Sequence, residues 1–373
     1  MKEIASEVAR RGRMSFREFM ELALYHPALG YYTRVRSGPG PVGAQGDFVT
    51  APTATPIFAT TLARLLDRLA ERAGRGLTLV ELGAGEGFFL GGVVPAVRNG
   101  TLQRVVAVEV APWARERVAA RCPGAEVAER LDQVPRPAGP VVLFACELYD
   151  ALPVHRVTVV RRGDQLVLQE FFVEAGPGGQ LAWVLGEPET PAVAAYLHET
   201  GIVLEEEQVA ELRPALRGIH AGHLAWCGGS AVALIVDYGH PARRLYDPRA
   251  RRHGSLVGYR GHRPVHDVLA QPGETDITAH VNFDDLEGAA GDVGWERGEV
   301  LPLGLFLALH GAVELLPSGR SGALSPSEWA TLSAAKRLLV PSGMGSDLKV
   351  LVQGRGSLWQ HYLALATPPP WEA

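Results

Sequence analysis

The chain has 373 residues, 47% of them hydrophobic and 21% charged, with a formal net charge of −5. That length can bury a large core and exceeds one minimal domain, and the composition excludes a fibrous or disordered chain. The acidic balance disfavours non-specific attraction to nucleic acid, so no nucleic-acid partner is expected, though a local basic groove stays open.

Cys122, Cys146 and Cys227 are isolated, without C-x-x-C spacing, so neither a disulfide framework nor a zinc site is suggested. Residues 1–19 are mixed and charged, without the apolar core of a signal peptide, and no run reaches the length of a membrane span. A cytoplasmic location is the default expectation. Lysine occurs only at positions 2, 336 and 349, an arginine bias that fits genome composition or heat adaptation better than function.

In chain order, Ser15-Phe16-Arg17-Glu18 is a capping box that opens a short helix. A loop rich in Gly and Pro runs from Ser37 to Pro52, and Thr55-Pro56 starts a longer helix. Its stripe of Ile57, Phe58, Thr61, Leu62, Leu65, Leu66 and Leu69 falls at helical spacing. An alternating core then begins. Strands are expected at 77–82, 104–109, around Val127 and at 141–146, with a helix from the first strand to Asn99-Gly100 and another over 112–121. Continuous apolar strands separated by helices point to a parallel sheet covered on both faces.

The alternation breaks at 154–185, where period-two stretches predict antiparallel strands, followed by acidic helical segments over roughly 190–226. A fifth strand, 231–236, ends in Asp237-Tyr238-Gly239. Asn282 caps a helix from Phe283, residues 295–301 form a sixth strand, Ser325 opens a helix to Val340, and 347–352 supply the last strand. The expected organisation is therefore an N-terminal helical segment with a cofactor-covering loop (1–75), a first half-core (76–153), inserted antiparallel strands and helices (154–230), and a second half-core (231–373). The insertions are expected to build a lid over one sheet edge, and the open edges of the inserted hairpin leave room for a homodimer.

Chemistry in such a sheet collects at the carboxyl ends of its strands. The first end is a glycine turn, Gly83-Ala84-Gly85-Glu86-Gly87, preceded by Glu81. Alternating glycines suit a ligand approaching the backbone. The nicotinamide fingerprint is G-x-G-x-x-G, but here position 88 is Phe and the third glycine comes one residue early. Acidic-x-G-x-G-x-G resembles motif I of class I S-adenosylmethionine-dependent methyltransferases. Glu109, 22 residues beyond Gly87, closes the second strand where an acid would accept both ribose hydroxyls.

Glu147 follows six apolar residues and should face the acceptor next to the cofactor, with Asp150 and Asp237 near it; Asp150 alone reads equally as a solvated or capping residue. In Asp276-Ile277-Thr278-Ala279-His280-Val281-Asn282 polar and apolar residues alternate, so one face can line a cleft. His253, His262, His266 and His280 lie nearby, but their spacing is poor for a metal and none is assigned. Tyr259, Arg260, His262 and Arg263 suit either an anion, an acidic peptide or plain solvation.

The whole chain resembles the MidA-like family of class I methyltransferases. The matching strings are Tyr25-His26-Pro27 with Gly30-Tyr31-Tyr32, Gly46-Asp47-Phe48-Val49-Thr50-Ala51-Pro52, the glycine turn, Glu147 with Asp150-Ala151-Leu152-Pro153-Val154, Asp237-Tyr238-Gly239, Gly258-Tyr259-Arg260-Gly261-His262-Arg263 and the 276–283 string. The resemblance implies a mostly parallel Rossmann-like α/β sheet with an N-terminal helical segment and an inserted antiparallel hairpin and helical lid. It implies S-adenosyl-L-methionine held by Asp47, Thr50, Glu81, Gly83, Ala84, Gly85, Gly87 and Glu109. It also implies a protein arginine as acceptor, in the mitochondrial members a respiratory-complex subunit. For such an acceptor Glu147 is expected as main anchor and Asp150 or Asp237 second, with His280 a lesser candidate for proton acceptance. Ala84 and Glu86 depart from the family's usual Gly-Pro-Gly-Arg-Gly loop, and Cys146 stands where Asn is common. The rival readings are a methyltransferase acting on a small molecule or RNA, a fold-retaining protein without turnover, and, last, a nicotinamide enzyme.

Overall fold

The computed structural model describes residues 2–35, 38–317, 324–341 and 343–366; Ser37, the expected start of the glycine- and proline-rich loop, lies outside them. The chain divides into two compact units. One comprises Val49–Leu148, Gly218–Asp237 and Leu286–Ala373, the other Met1–Phe48, Tyr149–Arg217 and Tyr238–Asp285.

The first unit is built on β1 (Leu77–Leu82), β2 (Leu102–Val108), β3 (Glu126–Ala128), β4 (Val141–Cys146), β5 (Ala231–His240, its last residues passing into the other unit), β6 (Glu296–Pro302) and β7 (Leu348–Arg355). Their order across the sheet is β6-β7-β5-β4-β1-β2-β3. The pairs β1–β2, β1–β4, β2–β3 and β4–β5 are parallel, and β6–β7 is antiparallel. The order reverses between β1 and β4, which makes their carboxyl ends the switch point where a ligand crevice opens in an α/β sheet. All six residues of β1 and the first five of β4 are buried, as strands covered on both faces must be.

Local signals place the helices. Thr55 caps the Pro56–Ala73 helix, accepting the Ile57 amide at 3.4 Å, and Gly74 ends it in the left-handed conformation. The apolar stripe of that helix is buried throughout. Phe58 packs near Phe89 and Phe144, whose rings stack at 3.9 Å. The helix after the glycine turn is shorter than the expected run to Asn99-Gly100. It covers Phe88–Val93, then a single 3-10 turn, Val94–Ala96. Gly91 and Gly92 are weak helix formers, and Pro95 brings no amide donor.

The second unit carries an antiparallel sheet in the order Met14–Ser15, Gln165–Ala175, His155–Arg162, Val209–Leu212, with Leu181–Gly186 on the far side of Gln165–Ala175. The antiparallel strands expected over 154–185 are therefore present. The segment expected to be helical over 190–226 is not uniform. Helices Pro191–Thr200 and Leu216–Trp226 flank the strand Val209–Leu212, in which Leu212 pairs with His155. β5 also outruns its expected end at Val236, continuing through Asp237 to His240, where Gly239 and His240 pair with Val281 and Asn282. The Ser15 and Ser325 capping boxes both form as read.

Candidate cofactor and acceptor site

The glycine turn leaves β1 with Gly83, Gly85 and Gly87 all at positive φ (67°, 52° and 75°), a conformation that residues with a side chain rarely adopt. The outer two are packed: a Cβ on Gly83 would come within 2.9 Å of Leu148 Cδ1, and one on Gly87 within 3.1 Å of Val118 Cα. A Cβ on Gly85 would meet nothing within 4 Å. Gly85 is thus where a ligand can lie against the backbone.

Two buried carboxylates frame that opening. Glu109 accepts the Gly85 amide at 2.8 Å and the Ala111 amide at 2.8 Å, one on each oxygen. A carboxylate has about four lone-pair positions, so both oxygens remain able to accept ribose hydroxyls. Burial pushes the Glu109 carboxyl up, against the pull of the Ala111 and Gly85 amides. Glu81 is 4% exposed, and its Oε2 has no hydrogen-bond partner. Burial, then the charge of Glu109, holds the Glu81 carboxyl well above the usual carboxylate range. The Glu109 carboxylate at the open Gly85 backbone suits a nucleoside ligand that brings a ribose diol as donor. S-adenosylmethionine, whose ribose diol and α-ammonium are donors and whose sulfonium is cationic, fits such a site, with the unpartnered Glu81 oxygen in the same unit.

The next helix locks the turn in place. Arg115 Nη1 donates to the carbonyls of Glu109 (2.9 Å) and Val110 (2.8 Å), Arg117 pairs with Glu86 at 2.6 Å, and Arg121 donates to the Glu86 carbonyl. Glu86, where the family commonly has Arg, is therefore a buried anchor for the Pro112–Arg121 helix.

On the acceptor side, Glu147 follows β4 directly with φ at 53°, a left-handed backbone in a residue that is not glycine. Such a conformation costs roughly 1–3 kcal/mol and persists where surrounding structure enforces it. Here the Glu147 amide donates to Val236 O at 2.8 Å, and the side-chain Oε1 accepts the Ala51 amide at 3.3 Å. Asp237 stands on the neighbouring strand, next after Val236, which pairs with Cys146; it is fully buried. The Cys146 thiol lies 3.8 Å from Glu147 Oε1. Thr50 caps the short Ala51–Ala54 helix that supplies the amide to Glu147.

One unit therefore gathers Thr50, Glu81, Gly83, Ala84, Gly85, Gly87, Glu109, Glu147 and Asp237. Asp47, Asp150 and His280 belong to the other. In that unit the Asp47 carboxylate is engaged by the Tyr31 hydroxyl at 2.8 Å and the Gly261 amide at 2.9 Å. His280 Nδ1 lies 3.1 Å from Arg251 Nη1. A guanidinium only donates, so that lone pair is occupied and is not free to take a substrate proton. Asp150 is buried, and its carboxyl is pushed up to about 6 by burial, against the charge of Arg213.

The sequence left Arg213 unmarked and placed Asp276 only within a cleft-lining string. The Arg213 guanidinium donates to the carbonyls of Asp150 (2.6 Å), Leu152 (3.0 Å), Ala279 (2.8 Å) and His280 (2.9 Å), fastening two of the family-like strings together. Asp276 accepts the Tyr32 hydroxyl at 2.6 Å and is pushed up to about 7 by burial, with Asp150 and Asp47 adding to the rise and Tyr32 opposing it. Among the described residues, His155, Glu170 and Glu189 hold ligand atoms within 4.8 Å of one another, but Glu170 is already bonded to His155 Nδ1 and the Glu189 amide, both at 2.7 Å.

Asp276 supplies a pH test. The folded protein keeps a proton that the unfolded chain releases above about 3.8. Stability tied to this group is thus full near pH 4 and is lost as pH rises toward 7. Asp276→Asn, which cannot ionise, should be more stable than the parent at pH 8 by on the order of a few kcal/mol, with a higher melting temperature, and no more stable near pH 4. An advantage of equal size at both pH values would refute the assignment.

The sheet order, the glycine turn and the acid at the end of β2 define a class I S-adenosylmethionine-dependent methyltransferase. The family model described as "Putative S-adenosyl-L-methionine-dependent methyltransferase" matches residues 57–300, and the chain belongs to that MidA-like family. A Burkholderia thailandensis protein solved with S-adenosyl-homocysteine bound is 27% identical, covering 95% of this chain and 92% of its own, with a TM-score of 0.79. The mitochondrial protein arginine methyltransferase NDUFAF7 of Danio rerio is 29% identical over 78% of this chain and 72% of its own length. Its Homo sapiens counterpart is 26% identical over 82% and 70%. Among the described residues no helix is long and apolar enough to cross a membrane.

Proposed function

We propose that this enzyme methylates arginine on a protein, with Glu147 as the anchor of the acceptor guanidinium. The observation that carries the reading is Glu147 itself, a carboxylate held in a left-handed backbone at the switch point, in the same unit as the glycine turn. The names of the relatives, protein arginine methyltransferases, support it.

Bound S-adenosylmethionine supplies an electrophilic methyl group on a sulfonium. A guanidinium has a pKa above ~12 and must give up a proton as its nitrogen attacks. A carboxylate meets that need by pairing with the planar fork and fixing one nitrogen in line. Glu147 Oε1 accepts the Ala51 amide, which fixes the carboxylate in place, and Asp237 on the adjacent strand is the second carboxylate. The resemblance to the mitochondrial members makes a respiratory-complex subunit the first acceptor to try.

The test adds the purified enzyme and labelled S-adenosylmethionine to an extract of cells that lack it. Label should enter the protein fraction. Label confined to RNA or small molecules would replace the acceptor class.

A further inference from the structure

The Pro56–Ala73 helix carries Arg64, Arg68 and Arg72 at i, i+4 and i+8. Like charges at that spacing oppose a helix by roughly 0.2–0.5 kcal/mol per pair. No carboxylate answers Arg64 or Arg68 at ion-pair distance among the described residues. Arg64 reaches the Gly311 carbonyl at 3.5 Å, and Arg68 Nη2 reaches His310 Nδ1 at 3.4 Å. The Arg68 Nε–H is buried with no acceptor. Burial, then the charges of Arg64 and Arg72, push the Arg68 guanidinium below its ordinary range, while Glu314 pulls the other way.

Arg64, Arg68, His310, Gly311 and Glu314 line a cavity of about 320 Å³ together with Asp67 and Arg98, and Arg72 lies outside it. Its other charges are already compensated. The Arg98 side chain pairs with Asp67 at 3.4 Å and Glu71 at 3.2 Å, and Asp67 also takes the Thr101 hydroxyl at 2.6 Å. Burial and Arg68 pull His310 down to about 4, so near neutral pH it is an uncharged ring that accepts from Arg68. Arg64 and Arg68, faced by the one carboxylate of Glu314, leave an excess of one positive charge. The cavity also lies apart from the glycine turn: Arg98 and Thr101 precede β2, whereas the turn follows the carboxyl end of the parallel strand β1.

We propose that this cavity is a second ligand site, taking a phosphate group, free or as a small ester, on Arg64 and Arg68. A singly ionised phosphate neutralises the excess charge, and its oxygens suit the planar N–H forks of two guanidiniums, one of which holds an unused, buried N–H.

Thermal melts and calorimetry of the whole chain with inorganic phosphate, glycerol phosphate and a short RNA, each at fixed ionic strength against chloride, test it. Phosphate or its ester should raise Tm saturably. Arg68→Met should start from a higher Tm without phosphate, because a half-buried charge with no carboxylate partner is gone, and should lose the phosphate response. Arg64→Gln, at an exposed position, should weaken phosphate binding at least tenfold, and it keeps the test open if Arg68→Met fails to fold. S-adenosylmethionine affinity should be unchanged in both. A phosphate response that matches chloride, or that survives in both variants, overturns the site. RNA binding tighter than phosphate and lost with Arg68 overturns the ligand class.

Discussion

Glu147→Gln is expected to bind S-adenosylmethionine as the parent does and to lose turnover by about 10²–10⁴-fold, the range a positioned proton-handling group supplies. The substitution keeps an oxygen for the Ala51 amide, so the Ala51–Ala54 helix and the fold should hold. It removes the charge that pairs with a guanidinium and can take its proton. Glu147→Gly separates structure from chemistry. Glycine enters the left-handed region freely, which offsets the lost acceptor of the Ala51 amide, so this variant should fold and melt near the parent temperature while remaining inactive. Retained turnover in either variant would remove Glu147 from the acceptor site.

Gly85→Val should abolish cofactor binding. The φ of 52° is costly for a branched side chain, and the added atoms would fill the one face of the turn that meets nothing within 4 Å. Strain alone, roughly 1–2 kcal/mol, would lower Tm without touching affinity, so a control is needed. Gly100→Val provides it: φ is 87° in an exposed turn with equally open surroundings, just before the amino end of β2 and so at the other end of the strands from the glycine turn. Both variants should lose stability, but only Gly85→Val should lose S-adenosylmethionine binding in a calorimetric titration. Parallel losses of affinity in the two would mean that the turn acts through stability alone.

Features set by neighbouring residues were legible in the sequence. The strand ends at Leu82 and Cys146, the caps at Ser15, Thr55 and Ser325, and the glycine turn each depend on local sterics or on hydrogen bonds that span a few residues. Glu147 was visible for the same reason, as the first polar residue after a buried run. The misses depend on partners distant in sequence. Val209–Leu212 contains Glu211 and follows Glu205-Glu206-Glu207, so nothing local marks it as a strand; pairing with His155–Thr158 makes it one. Arg213 looked like one basic residue among acidic ones, yet its four carbonyl acceptors lie 61 to 67 positions away. The Tyr32–Asp276 bond spans 244 residues. Neither could be reached from spacing, although both residues flank or fall in strings that resemble the family.

The acceptor is the central claim, and amino-acid analysis tests it most directly. Protein labelled by the purified enzyme with methyl-labelled S-adenosylmethionine would be hydrolysed in acid and its amino acids separated. Label is expected in methylated arginine, matched by an equivalent release of S-adenosylhomocysteine and absent with Glu147→Gln. Label in methylated lysine or histidine, or volatile label from a methyl ester, would contradict it.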